Sequence, residues 1–208
     1  NQRDYSGAFH EDKALPCRAM HLAFSPNGKM LLAASGSNQA VLHLWSVVDG
    51  KCLRTVEFPD FYNQSWRHVF SPDSKRILSA STSGAVKVHA TGDGTCVEKA
   101  FGYLVTALSV AFDSDGNAVM VGSSAHPEES AAILGRAQSD YLSLWTLKDG
   151  RRHWTRETGQ HIVMAGFGAC RKVGLSIVQL RPTQGPGDRM IELWSVVDGR
   201  VINKWPVS

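Results

Sequence analysis

Long apolar runs are missing from this chain of 208 residues. No stretch of eighteen apolar residues occurs, so the sequence carries no helical membrane span. Cysteine is sparse: Cys17, Cys52, Cys96 and Cys170 are scattered, and no CxxC pair offers a metal knuckle or a redox motif. They read as reduced thiols of an intracellular protein, cytoplasmic with the nucleus and organelles left open, although four cysteines also allow two disulfides. Neither charge sign dominates. The 22 Lys and Arg against 19 Asp and Glu leave a net charge of +3, too small to argue by itself for nucleic acid. The N-terminus offers no methionine, no charged-then-apolar signal region and no small-residue cleavage site. The chain is therefore expected to be a piece of a longer one.

Motifs that carry chemistry are equally scarce. GFGAC at 166–170 contains a GxG, but Arg171 stands where a dinucleotide fingerprint needs Gly, and no helix follows to meet a phosphate. No GxSxG elbow occurs; Gly174-Leu175-Ser176 lies inside an apolar strand. His153, His161 and Cys170 match no zinc spacing. DSDGN at 113–117 begins like a calcium loop, but its Gly arrives too early and the closing Glu is absent. Hence no catalytic, metal-binding or cofactor-binding residue is assigned. Neither a cofactor nor a small-molecule substrate is expected.

What the chain does contain is repetition. LWSVVDG at 44–50 recurs letter for letter at 193–199, and LWTLKDG stands at 144–150. Self-similarity at a fixed period marks a repeat architecture. In each of four units an apolar run ends at a Phe (Phe24, Phe70, Phe112, Phe167), followed by a turn such as SPNGK or DSDGN and a second apolar run. Asn-Gly and Asp-Gly suit tight hairpin turns, because Gly takes positive φ freely and Asn or Asp tolerates it. VLHLW and AVKVH alternate with period two. Each unit thus reads as four short strands, in the first MHLAF, MLLAAS, AVLHLWS and CLRTVEF. The second unit has His89 where the others have Trp, yet keeps Asp93-Gly94 and sets Cys96 in register with Cys52.

Four-stranded units of this length with a Trp closing the third strand resemble the WD-repeat β-propeller family. The resemblance covers nearly the whole chain. It implies an all-β fold of four blades, part of a larger ring of about seven. Residues 1–14 would end a preceding blade or serve as a closing strand, and the four blades would span 15–60, 61–103, 104–158 and 159–208; the alternative to a portion of a larger ring is an incomplete propeller finished by another segment. In that family the Trp packs between blades, so Trp45, Trp145 and Trp194, with His89 as substitute, are implied core residues beside the four Phe. The chain departs from the family in having Ser46, Thr146 or Ser195 where an Asp follows the Trp. Gln39 and Ser83 replace the usual Asp between second and third strands. The family's Asp-His-Ser-Trp network is therefore expected to be largely absent.

Two connections break the pattern. The third blade carries an insertion at 125–140 and the fourth at 181–188, where the first two blades have only GSNQ and TSG. The family resemblance sets these connections on one face, side by side, as a raised lip. Glu128, Glu129, Arg136, Arg181, Gln184 and Arg189 would supply a polar rim, and Ile133 and Leu134 an apolar centre, for a protein partner. RRHWTRETGQH at 151–161 interleaves Arg with an aromatic, so RNA contact through Arg151, Arg152 and Arg156 is the alternative to an exposed charged edge strand. Ser25-Pro26 and Ser71-Pro72 fit turns better than phosphorylation sites. The resemblance implies a non-catalytic scaffold for protein–protein interaction in a multi-subunit assembly, with an RNA-associated subunit of a ribonucleoprotein as alternative.

Overall fold

The computed structural model describes residues 19–36, 40–58, 67–80, 86–99, 107–123, 140–168, 172–179 and 189–207. Among them every regular element is a strand. β1 (Ala19–Phe24), β2 (Met30–Gly36), β3 (Ala40–Ser46) and β4 (Cys52–Phe58) form the first sheet; β5 (Arg67–Phe70), β6 (Arg76–Ala80), β7 (Val86–Ala90) and β8 (Cys96–Lys99) form the second. β9 (Ala107–Phe112), β10 (Ala118–Ser123), β11 (Tyr141–Thr146) and β12 (Arg152–Glu157) make the third; β13 (His161–Phe167), β14 (Val173–Gln179), β15 (Arg189–Ser195) and β16 (Val201–Val207) make the fourth. Each sheet is antiparallel and ordered as the chain runs. The first strands stand in succession, β1 against β5, β5 against β9 and β9 against β13. This is the all-β, four-by-four architecture the repeats imply.

The turns follow from their residues. In the SPNGK turn the Ser25 hydroxyl donates to Asn27 Oδ1 (2.7 Å) and accepts from the Met30 amide (2.9 Å), while Gly28 takes φ +69°. Ser71 and Asp73 repeat the arrangement in the second unit, but the left-handed position is held by Ser74 (φ 61°). Ser74 has a second task that Gly lacks: its Oγ accepts the Asn27 amide of the first sheet at 3.1 Å. Ser25 and Ser71 are 3% and 0% exposed, so both hydroxyls belong to their turns. Asp113 does the same work in DSDGN, accepting the amides of Asn117 and Ala118.

Register aligns one row of side chains across each sheet. The rows are Phe24–Leu31–Trp45, Phe70–Ile77–His89, Phe112–Val119–Trp145 and Phe167–Gly174–Trp194. All four sheets also carry a bulge between the third and fourth strands, just before the Trp or His of the row. In the last three sheets this row packs on the sheet before it. Ile77 and Phe70 join Leu32, Leu42 and Leu44; Val119, Trp145 and Phe112 join Leu78 and Val88; Trp194 and Phe167 join Met120 and Leu142. His89 is 6% exposed and walls a small pocket with Leu42, Leu44 and Ile77.

The row of the first sheet behaves differently, and two core assignments need correction. Phe24 is 67% exposed and Trp45 only half-buried. Both point to the side where the other rows meet a preceding sheet, and none of the described sheets stands there. Trp145 and Trp194, by contrast, are 7% and 0% exposed. Trp194 lies against Gly174: a Cβ at that position would sit 2.1 Å from two of the indole carbons. Trp154 and Phe167 meet the same indole edge-on, at centroid distances of 5.6 and 6.3 Å.

Candidate interaction surface

Of the residues proposed for the lip, Glu128, Glu129, Ile133, Leu134, Arg136, Arg181 and Gln184 lie outside the described residues. Arg189 opens β15 and is exposed. The described ends of the two insertions are close together. Asp140, which closes the first, is 4% exposed and accepts the Ile162 amide at 2.6 Å, with His161 Nδ1 at 3.0 Å from the same carboxylate. His161 pairs across β13–β14 with Gln179, and Gln179 pairs across β14–β15 with Arg189. These two flank the second insertion. Thr158 adds bonds from its amide and hydroxyl to the Asp140 carbonyl. Part of an Asp–His pairing therefore exists where the network was expected to be largely absent. Its signs in the sequence are the Asp immediately before β11 and the Gly159-Gln160-His161 stretch that opens the fourth unit.

The arginines considered for RNA are mostly engaged inside the protein. Arg156 Nη2 reaches Glu192 Oε2 at 3.0 Å, joining the third sheet to the fourth. Glu192 is 0% exposed and its other oxygen meets Lys204 Nζ at 2.7 Å. Arg152 lies over the Trp145 ring, 5.5 Å from its centroid. Arg151 stays exposed, 3.6 Å from Asp149. The run read as an edge strand is thus also a joint: Trp154 Nε1 donates to the Val196 carbonyl of the next sheet at 2.8 Å, and its ring rests on Gly199.

Similar joints run along the end of the sheets that carries the hairpin turns. Arg54 donates to the Gly92 carbonyl through Nε (3.0 Å) and Nη2 (2.8 Å), and Arg76 to the Gly116 carbonyl at 2.6 Å. The residues that replace the family Asp after the Trp have a local role. The hydroxyls of Ser46, Thr146 and Ser195 bond Asp49, Asp149 and Asp198, and together with amides of the turn hold these carboxyls below the usual carboxylate range.

The first strands read as apolar, yet β1 and β5 carry His21 and His68, whose rings are 5.8 Å apart. His68 is 2% exposed, and its Nδ1 lies 2.8 Å from Ser79 Oγ. Burial, with His21 and His89 beside it, lowers its pKa to about 3. His68 is therefore a neutral packing residue at neutral pH, and with Ser79 forms a buried polar pair rather than an acid or base facing solvent. Among the described residues no group of three His, Cys, Asp or Glu is placed to hold a metal ion.

Comparison with known families agrees with this construction. A model described as WD domain, G-beta repeat, matches residues 11–46. No curated protein matches the chain. WD-repeat proteins typically act as non-catalytic scaffolds for protein–protein interaction. Residues 11–46 thus match a WD repeat, and the other three units share its strand order and register.

Proposed function

We propose that this protein is a non-catalytic scaffold that presents a rigid surface to other proteins within a multi-subunit assembly. The observation that carries the proposal is where its polar side chains are spent. Arg54, Arg76, Trp154 and Arg156 each bind the next sheet, Asp140 and Ser109 do so through amides of β13, and Ser46, Thr146 and Ser195 serve their own turns. Such groups stiffen a platform instead of converging on a substrate.

The contact surface proposed on that platform is the pair of insertions 125–140 and 181–188. Support comes from their described ends, which meet through Asp140, His161, Gln179 and Arg189. Ile133 and Leu134 are the proposed apolar anchors, ringed by Glu128, Glu129, Arg136, Arg181, Gln184 and Arg189. The test replaces both insertions with short turns like GSNQ. Thermal stability is expected to stay within about 3 °C of the parent, since surface connections contribute little to a core. Recovery of the native assembly on the tagged protein is expected to fail. Unchanged affinity for every partner would move the working surface elsewhere.

A further inference from the structure

The turn between β1 and β2 holds the chain's one Asn-Gly pair, Asn27-Gly28, and both residues are exposed. Such a pair has a reaction of its own. The backbone nitrogen of the Gly attacks the Asn Cγ, and no side chain on the Gly crowds its approach. A new N–C bond forms, the bond from Cγ to the side-chain nitrogen breaks, and that nitrogen leaves as ammonia with the proton of the Gly amide. Water then opens the resulting succinimide at either carbonyl. One product is aspartate; the other is isoaspartate, whose main chain runs through the former side chain.

Three contacts of this turn oppose the first step. The Gly28 amide donates to the Ser25 carbonyl at 2.8 Å, which hinders loss of the proton that attack requires. Asn27 Oδ1 accepts from Ser25 Oγ at 2.7 Å and from the Lys29 amide at 3.0 Å, which fixes the side chain in place. The Asn27 amide donates to Ser74 Oγ at 3.1 Å and ties the turn to the second sheet. We propose that Asn27 is a site of spontaneous deamidation gated by this turn, held back while the turn is closed and converted when it opens. The two products differ in consequence. Asp73 stands at the matching place in the second unit, where it accepts from Ser71 Oγ at 2.5 Å and from the Lys75 amide at 3.0 Å. The Ser71 hydroxyl, foremost among its neighbours, holds that carboxyl below the usual carboxylate range, so a turn of this kind accepts an aspartate. Isoaspartate lengthens the main chain by a carbon and spoils the spacing on which the Oδ1 contacts and the Ser74 bond depend. It would loosen the joint between the first two sheets. The proposal is independent of the scaffold reading, since it concerns one turn and not the insertions.

The test ages the protein at neutral pH in water enriched in heavy oxygen, once folded and once in urea sufficient to unfold it. Peptide mapping by mass spectrometry then follows asparagine, aspartate and isoaspartate at position 27. The folded parent is expected to convert at least about tenfold more slowly than the unfolded chain, because only the opened turn reacts. Ser25→Ala lacks the hydroxyl clamp and, folded, is expected to convert roughly three- to tenfold faster than the folded parent, the effect of one lost hydrogen bond. Asn27→Asp is expected to melt within about 2 °C of the parent. Equal rates in the folded and unfolded parent would overturn the gate, and no conversion in either state would overturn the site. Folded Ser25→Ala converting at the parent's rate would remove the hydroxyl from the gate. If that variant loses the parent's circular dichroism, the comparison of folded and unfolded parent still decides. A large drop in melting temperature for Asn27→Asp would overturn the harmless role given to the aspartyl product.

Discussion

Gly174→Ala is the most telling single change. Three of the four rows have a branched aliphatic residue in the second strand, Leu31, Ile77 or Val119, so restoring a side chain at 174 looks conservative. The structure says otherwise. The new Cβ would lie 2.1 Å from two carbons of the Trp194 indole and 2.6 Å from a third. The ring cannot retreat, being 0% exposed and packed with Met120, Leu142, Phe167 and Trp154. If the sheet strains to keep both groups, overpacking costs about 1–3 kcal/mol. If the indole is expelled, most of its burial is lost, about 3–5 kcal/mol. A loss of about 3 kcal/mol in urea denaturation, followed by circular dichroism, is the expected outcome. Trp194→Leu makes room, so its cost on the Gly174→Ala background should fall by more than 1 kcal/mol relative to its cost alone, a coupling diagnostic of direct contact. A Gly174→Ala protein within 0.5 kcal/mol of the parent, or additive double-mutant behaviour, would refute the proposed packing.

Three further outcomes are expected. His68 has a folded pKa of about 3 against an ordinary 6.5, so below pH 6.5 the unfolded chain takes up a proton that the folded one refuses, and stability falls as pH drops toward 3. The loss is about 2 kcal/mol by pH 5, and His68→Gln should flatten the stability–pH slope between pH 6 and 4.5 by roughly one proton; an unchanged slope would clear His68 of the role. Trp194→Ala should cost about 3–5 kcal/mol but Trp45→Ala only about 1–2, and equal losses by denaturant titration would contradict the exposed setting of the first row. Arg156→Met leaves the buried Glu192 carboxylate with Lys204 alone and should cost about 3 kcal/mol, whereas Arg156→Met with Glu192→Met should cost less than the single change in the same assay.

How much of this was legible beforehand depends on whether a feature is local. The first unit reads as MHLAF, MLLAAS, AVLHLWS and CLRTVEF, and β1 to β4 lie within one residue of those bounds. Alternation and Asn-Gly or Asp-Gly turns act within a few residues, so they survive in sequence. What covers a face does not. Phe24 has the same flanking pattern as Phe70 and Phe112, but among the described residues only the latter two have a sheet before them. Arg156 looked like edge protection, because its partner Glu192 is thirty-six residues away and belongs to another sheet. Gly174 reads in sequence as a neutral strand interior, because the Trp194 indole against it comes from the neighbouring strand. The lip ends were legible as long connections, whereas the Asp140–His161 link between them depends on how two sheets meet.

Because every sheet is ordered as the chain runs, all of its ladder bonds join segments close in sequence. A ribosome-bound chain can therefore finish one sheet before the next has emerged, which keeps loop-closure costs low. The vulnerability lies in the interval between them. Each new sheet exposes its apolar receiving face until the following Phe–Trp row arrives, and aggregation competes during that wait. A synthesis pause placed after β4, β8 or β12 would lengthen the interval, whereas one inside a sheet would leave an unpaired strand edge instead. Translation speed across the segments joining the sheets should thus affect the yield of soluble protein more strongly than speed across the hairpin turns.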